Sequence, residues 1–202
     1  MKNTLLLAVV CLLAIGCNNT KEENKMNDTH FIETLQTRVS VRHFTGEAVS
    51  AEQTEILLRS AMSAPSAVNK QPWDFIVVND TMLIRQLGEA LPNSRCGNGA
   101  GVVIVPCGNL QKTLEGEGQE FWIQDVSAAT ENLLLTAHAM GLGAVWTALY
   151  PNQERIEKAR EILHFPEHII PLCLVPVGVP AEQPQVKDKW KTENIHYNNW
   201  AE

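Results

Sequence analysis

The sequence feature that most constrains the fold is a long helical pattern from Gln119 to Met140, which ends at Gly141. A glycine directly after the last periodic residue is typical of a helix C-terminus. Apolar residues occupy several faces of this helix rather than one stripe, and they are Val126, Ala129, Leu133, Leu134 and Ala137. A helix that is apolar on several faces is expected to be largely buried.

Shorter helical and extended patterns alternate along the rest of the chain. Capping residues and apolar spacing predict four further helices, at residues 29–37, 51–63, 81–90 and 152–164. Apolar, β-branched runs predict extended segments at residues 73–79, 102–106, 143–149 and 169–179. Two prolines in the last run favour an edge strand or a bulge there. Helices interleaved with few strands predict an α+β fold with a small central sheet.

Composition excludes several classes of function. The chain has 202 residues, of which 45% are hydrophobic and 19% charged, as in an ordinary globular domain. Sixteen Lys and Arg against 23 Asp and Glu give a net charge of −7, so nucleic acid is not an expected partner. The sequence contains no CxxC pair, HExxH, GxSxG or GxxxxGK[ST] motif. The glycines at 97, 99 and 101 lead into a strand, which argues against a dinucleotide-binding fingerprint.

Residues 1–16 are predicted to form a lipoprotein signal peptide. Lys2 gives a short positive start, and Leu5–Ile15 is an unbroken apolar run of 11 residues, too short for a membrane-spanning helix. The run leads through small residues to Cys17 and resembles a bacterial lipobox, although Ala14 stands where leucine is favoured. Cys17 is then the lipidation site. An ordinary signal peptide and a short buried helix are the alternatives.

The remaining chain divides into a tether and a domain. Residues 17–28 are polar and without periodicity, which is typical of a flexible tether. Residues 29–202 form the folded domain. With a lipid on Cys17, the protein would lie in the bacterial cell envelope, anchored to a membrane by acyl chains rather than by a helix.

A first candidate site is the segment Arg38-x-Ser40-x-Arg42. In an extended chain, alternate residues point the same way, so two guanidinium groups and a hydroxyl share one face. Such a set of donors suits an anion, most naturally a phosphate. Exposed arginines beside a helix are common, and that ordinary interpretation stays open from these residues alone.

Three more segments carry polar or glycine-rich patterns. The loop from Pro65 to Gln71 offers a hydroxyl and two carboxamides ahead of a strand, groups that can bind the polar edge of a flat heterocycle. The glycines at 141 and 143 allow close approach of a ligand or of another chain. Lys187 and Lys189 form a basic pair in the tail. The ordinary interpretation of these two lysines is a solvated charge pair.

In this order, the four segments resemble the nitroreductase family of FMN-dependent flavoproteins. The matching text is TRVSVRHF, APSAVNKQPWDFIVV, QDVSAATENLLLTAHAMGLGAVWTALYP, and VKDKW followed by IHYNNW. The resemblance covers about Phe31 to Trp200. It implies a nitroreductase-like α+β fold, with a small central mixed β-sheet surrounded by helices, and an intertwined homodimer with FMN at the interface.

The resemblance also implies a role for individual residues. Those expected to bind the phosphate and ribityl end of FMN are Arg38, Ser40, Arg42, Lys187 and Lys189. Those expected beside the isoalloxazine ring, from the other subunit, are Pro65, Ser66, Ala67, Asn69 and Gln71. Those expected over the opposite ring face are Trp146, Ala148 and Leu149, with the backbone N–H of Ala148 or Leu149 directed at flavin N5.

The implied activity is oxidoreduction without a catalytic side chain. Hydride passes to flavin N5 from NAD(P)H or another donor and then to a quinone or nitroaromatic acceptor, in ping-pong order. Because nicotinamide coenzymes are scarce outside the cytoplasm, a lipid-anchored protein is also expected to exchange electrons with membrane quinols. Asp125 and Glu131 are interpreted as structural, and none of the histidines has ligand spacing.

Two alternative functions and one covalent bond stay open from the sequence. Relatives that remove halogens or fragment the flavin use lid residues, and residues 110–118 offer no recognisable lid. A non-enzymatic protein that stores FMN is the other alternative, suggested by Ala148 where many relatives have glycine. Cys96 and Cys107 flank the second strand, and a disulfide between them is considered.

Overall fold

A computed structural model of the chain describes residues 30–200. The predicted signal peptide, Cys17 and the tether lie outside these residues. The helices are α1 at 30–37, α2 Ala51–Met62, α3 Thr81–Ala90, α4 Phe121–Ala139 and α5 Gln153–Leu163. The strands are β1 Trp73–Val78, β2 Val102–Asn109, β3 Gly143–Ala144, β4 Thr147–Ala148, β5 Ile169–Pro171 and β6 Cys173–Gly178. No helix among residues 30–200 has the length and apolarity to cross a bilayer.

Local signals place the helix ends where the sequence predicts them. The Ser50 side chain accepts from the Gln53 N–H, and the Gln53 side chain accepts from the Ser50 N–H, so the predicted capping box forms. The Asp80 side chain caps α3 and the Asn152 side chain caps α5. At the other end of α4, Gly141 has a φ of +74°, the left-handed conformation that ends many helices.

The strands form one sheet in the order β1-β2-β6-β3, with β4 also paired to β6 and β5 to β2. Every pairing among residues 30–200 is antiparallel, whereas a mixed sheet was expected. The connectivity explains this difference. β1 and β2, which α3 connects along the chain, run in opposite directions, and β6 runs antiparallel to β2.

The last apolar run is divided by an irregularity of the register. Between the pairs Cys107–Pro171 and Ile104–Val175, β2 contributes two residues, and the segment that faces it in the same chain contributes three. One extra residue on one strand is a β-bulge, so the bulge predicted from the prolines is confirmed. The predicted edge position is wrong for β6, because this strand pairs with β2, β3 and β4.

Helix α4 is largely buried, as its apolar pattern predicts. Its buried residues pack against α2 and against one face of the sheet, in a core that includes Leu57, Trp73 and Val175. A second core, which includes Leu87, Val105 and Ile156, fills the opposite face beneath α3 and α5. The sheet therefore lies between two apolar layers, and the loops at its ends are left to form sites.

Candidate functional site

Two distant parts of the chain meet in a cleft rich in positive charge. Arg38, Ser40 and Arg42 line it from one side, and Lys187 and Lys189 line it from the other. The cleft encloses about 170 Å³, and it opens beside a second cavity of about 720 Å³ that Arg38 and both lysines also line. Among the described residues that line this cationic cleft are four cations and no carboxylate. This arrangement is a local concentration of positive charge, of the kind that suits an anion, in a protein of net charge −7.

Backbone hydrogen bonds hold the arginine segment in place. The Val41 N–H donates to the Ala144 carbonyl at 3.1 Å, and the Thr45 N–H donates to the Val179 carbonyl at 3.0 Å. The Ala181 N–H in turn donates to the His43 carbonyl at 3.0 Å. The segment therefore lies along the sheet as an extended chain, which explains why alternate side chains share one side.

Arg38 is oriented by the long central helix. Its Nε lies 3.2 Å from Oε1 of Glu131, and its side chain is 17% exposed. About two turns further along the same face of α4, Nε2 of His138 lies 2.9 Å from the Thr37 hydroxyl. Partial burial, with a smaller contribution from the positive charge of Arg38, lowers the pKa of His138 below its ordinary value. Helix α4 thus fixes one guanidinium of the cationic cleft.

The loop from Pro65 to Gln71 adopts an unusual backbone. Val68, Asn69 and Gln71 have φ values of +43°, +57° and +49°. Left-handed conformations cost free energy in residues other than glycine, most of all in β-branched ones. The Ser66 hydroxyl accepts from the Gln71 N–H at 2.9 Å, and the Gln71 carboxamide donates to Asn69 Oδ1 at 3.1 Å. The two carboxamides are therefore held in fixed orientations on an exposed loop.

Asp125 of α4 supports this loop from below. Its carboxylate is 7% exposed and accepts a hydrogen bond of 2.9 Å from the Ala67 N–H. None of the residues that line the cationic cleft belongs to the loop. Within one chain, the structure therefore does not bring residues 65–71 into the cleft formed by residues 38–42 and 187–189.

The glycine-rich turn after α4 approaches the arginine segment of its own chain. A Cβ added to Gly143 would lie 2.7 Å from Cβ of Val41, closer than side chains tolerate. Gly143 therefore permits contact between this turn and the segment that carries Arg38 and Arg42. The approach is to another part of the chain rather than to a ligand.

The structure distinguishes the two backbone donors that the sequence left open. The Leu149 N–H donates to the Leu172 carbonyl at 3.0 Å, so it is already used. Since hydrogen-bonded and non-hydrogen-bonded pairs alternate in an antiparallel ladder, the adjacent Ala148–Cys173 pair is of the second type. The Ala148 N–H therefore points away from β6. Ala148 is also exposed, whereas Leu149 is 2% exposed.

Ala148 borders a separate cavity of about 280 Å³, which we call the Ala148 cavity. Its walls are the 3₁₀ turn Pro92–Ser94, strand β4 with Leu149, and residues 152, 154, 155 and 158 at the start of α5. The Thr147 hydroxyl donates to the Ser94 carbonyl at 3.0 Å and closes one corner. Trp146 does not line this cavity; it is half-buried and packs against the core around α4.

One loop, residues 92–101, borders the Ala148 cavity and also contacts the arginine segment. The Asn98 carboxamide donates to the Arg42 carbonyl at 2.9 Å, and the Phe44 N–H donates to the Asn98 carbonyl. Sequence reasoning treated residues 92–101 as a plain loop and missed Asn98, which ties this loop to the arginine segment. Nothing local in the sequence marks Asn98, because its partner lies 56 residues away.

The three cysteines among the described residues are free and buried. The considered disulfide between Cys96 and Cys107 is therefore wrong. Burial raises the pKa of the Cys96 thiol to about 11 and that of Cys107 to about 12, and it raises that of Cys173 as well. These thiols serve as small apolar side chains of the core.

Taken together, the observations define an α+β fold with a cleft whose donors suit an anionic ligand. The sequence model of the nitroreductase family matches residues 35–94 and 92–179. The chain belongs to the nitroreductase family.

Individual relatives agree with this membership. A protein of Methanothermobacter thermautotrophicus, provisionally named NADH dehydrogenase/NAD(P)H nitroreductase, is 38% identical over 88% of this chain and 92% of its own length. A crystal structure from Parabacteroides distasonis with the same provisional name is 41% identical, with a TM-score of 0.79 over 84% of this chain and 98% of that one. A Clostridium difficile protein described as an FMN-dependent nitroreductase is 26% identical, with a TM-score of 0.75 over 84% and 99%.

Proposed function

We propose that this protein is an FMN-dependent oxidoreductase that takes electrons from NAD(P)H and reduces quinone or nitroaromatic acceptors. The observation that carries the proposal is the cationic cleft, in which four cations and the Ser40 hydroxyl converge with no carboxylate among the described lining residues. The names of the relatives, which include NAD(P)H nitroreductases and an FMN-dependent enzyme, supply the cofactor and the donor.

The donor set of the cleft fits the phosphate of FMN. A phosphate monoester carries close to two negative charges, and guanidinium and ammonium groups are its preferred partners. Each charge-assisted hydrogen bond contributes about 1.5–3 kcal/mol. Arg38, Arg42, Lys187 and Lys189 would hold the phosphate, with Arg38 oriented in advance by Glu131.

One group of this chain fits the ring of the flavin. The Ala148 N–H, directed away from β6, is the donor we assign to the face where electrons are exchanged. The chemistry that FMN supplies when bound is two-electron transfer from reduced nicotinamide to an acceptor, in two successive half-reactions.

A homodimer completes the site in this proposal. The loop around Ser66 and Asn69 carries fixed polar groups but lies apart from the cationic cleft of its own chain, so a second copy is needed to bring the two together. Large apolar side chains are exposed at both ends of the described chain, including Phe31 at 63%, Trp190 at 72% and Trp200 at 78%. Exposed aromatic side chains of this size are typical of an interface.

We further propose that the mature protein is anchored in the cell envelope by a lipid on Cys17. The support is the sequence of residues 1–17 alone. In that location, membrane quinols are an alternative electron donor to NAD(P)H. Reduction of the bound flavin by a quinol under anaerobic conditions would support this alternative, and reduction by NAD(P)H without any by quinols would contradict it.

The first experiment is the visible spectrum of residues 27–202, before and after addition of NADH or NADPH without oxygen. Bound flavin that bleaches, followed by turnover with menadione or a nitroaromatic, is the expected result. Bound flavin without turnover on any acceptor or donor would favour storage of FMN. A colourless protein that binds no added FMN would refute the proposal.

Variants of the cleft make this experiment specific. Arg38→Gln removes one charge-assisted contact and is expected to raise the Kd for FMN about tenfold or more. The control is Arg59→Gln, an exposed arginine of α2 outside the cleft, which is expected to leave the Kd unchanged. Equal affinities for FMN in both variants and the natural chain would contradict the assignment of the cleft.

A further inference from the structure

The Ala148 cavity carries charge that the binding of FMN phosphate does not use. Arg155 and Lys158 of α5 line it, and Glu154 is the one carboxylate among the described residues that line it. With a volume of about 280 Å³, it is close to the lower end of the range for small-molecule sites. It is therefore large enough for one aromatic ring with a substituent and too small for a dinucleotide.

The two cations differ in how far they are neutralised. Lys158 Nζ lies 2.7 Å from Glu154 Oε1, and this hydrogen bond and the charge of Lys158 hold the pKa of Glu154 below its ordinary value. Arg155 makes no ion pair with any carboxylate of residues 30–200. The positive charge that remains in the cavity is therefore that of Arg155.

Arg155 is also fixed next to the residue that we assign to electron exchange. Its Nη1 donates to the Ala148 carbonyl at 3.0 Å, and its side chain is half-buried. The carbonyl and the N–H of Ala148 belong to the same residue. A cation held at this carbonyl thus lies beside the position where, in the proposed function, an acceptor meets the flavin.

We propose that the Ala148 cavity selects electron acceptors that carry an anionic group, with Arg155 as the partner of a carboxylate on an aromatic ring. This inference rests on the proposed function, because it names the class of acceptor for the same site. With 4-nitrobenzoate as acceptor, two electrons from NADH and two protons convert the nitro group to a nitroso group and release one water.

The test compares 4-nitrobenzoate with nitrobenzene, which lacks only the carboxylate. In Arg155→Gln, kcat/KM for 4-nitrobenzoate is expected to fall about tenfold more than kcat/KM for nitrobenzene, and the difference should appear in KM. Arg155→Lys keeps the charge and should restore most of the selectivity. Glu154→Gln removes the opposing charge and should raise kcat/KM for 4-nitrobenzoate two- to threefold. Glu157→Gln, on the same helix but outside the cavity, is the control and should change neither.

A binding measurement separates failure of this inference from failure of the proposed function. The probe is benzoate, which cannot be reduced. Its Kd should be about tenfold lower for the natural chain than for Arg155→Gln, both with and without bound flavin. Absence of bound FMN and of turnover, with benzoate binding intact, would refute the function and leave the cavity assigned. Equal effects of Arg155→Gln on both acceptors, or benzoate binding that the variant does not weaken, would refute the inference.

Discussion

Replacing Asp125 tests whether the left-handed loop is held in place by one buried carboxylate. Asp125 is 7% exposed, and it accepts the Ala67 N–H at 2.9 Å directly beneath Val68, which has a φ of +43°. A hydrogen bond to a charged group contributes about 1.5–3 kcal/mol. Part of that loss is recovered in Asp125→Ala, because the freed loop is at the surface and relaxes its strained residues. We therefore expect the free energy of unfolding to fall by about 1–2 kcal/mol.

The matched variant is Asp125→Asn, which keeps an acceptor oxygen but removes the charge. The Asn variant should lose about half as much free energy of unfolding as the Ala variant, because it keeps a neutral hydrogen bond, which contributes about 0.5–1.5 kcal/mol. Chemical denaturation of the flavin-free protein gives these values directly, and 1 kcal/mol corresponds to a shift in Tm of about 2–4 °C for a chain of this size. Glu161→Ala, an exposed carboxylate of α5, is the control and should stay within about 0.5 kcal/mol of the natural chain. Equal stabilities for the Asn and Ala variants would refute the reasoning.

Three further predictions concern packing, protonation and thiol reactivity. Gly143→Ala should weaken FMN binding at least severalfold, since the added Cβ would meet Val41 and displace the arginine segment; fluorescence titration with FMN measures this, and unchanged affinity would contradict it. The pKa of His138 is lowered in the folded state, so the unfolded chain binds more protons. The free energy of unfolding should therefore fall as pH falls through about 6.5, and it should fall less steeply in His138→Gln. Cys107 and the other two core thiols should resist Ellman's reagent at pH 7.5 until the protein unfolds, and rapid reaction of the folded protein would contradict their burial.

Local sequence signals were sufficient for most elements and insufficient for the geometry of the site. The capping box at Ser50 and the apolar pattern of α4 specify helices through contacts a few residues apart, so they can be predicted from the sequence. The left-handed Val68 could not be predicted, because valine disfavours that conformation and only tertiary contacts such as Asp125 maintain it. Asn98 was missed for a similar reason, since a loop residue gains importance only from what the fold brings beside it.

The cationic cleft illustrates how an exported chain would acquire its cofactor. Its two halves, residues 38–42 and 187–189, are separated by more than 140 residues, and backbone hydrogen bonds such as Val41 to Ala144 and Ala181 to His43 bring them together. These backbone bonds are made within the protein, so the arginine segment takes its extended form without help from a ligand. The unfolded chain has four scattered cations and no phosphate site. We therefore expect folding to precede flavin binding, with FMN stabilising the folded chain when it binds.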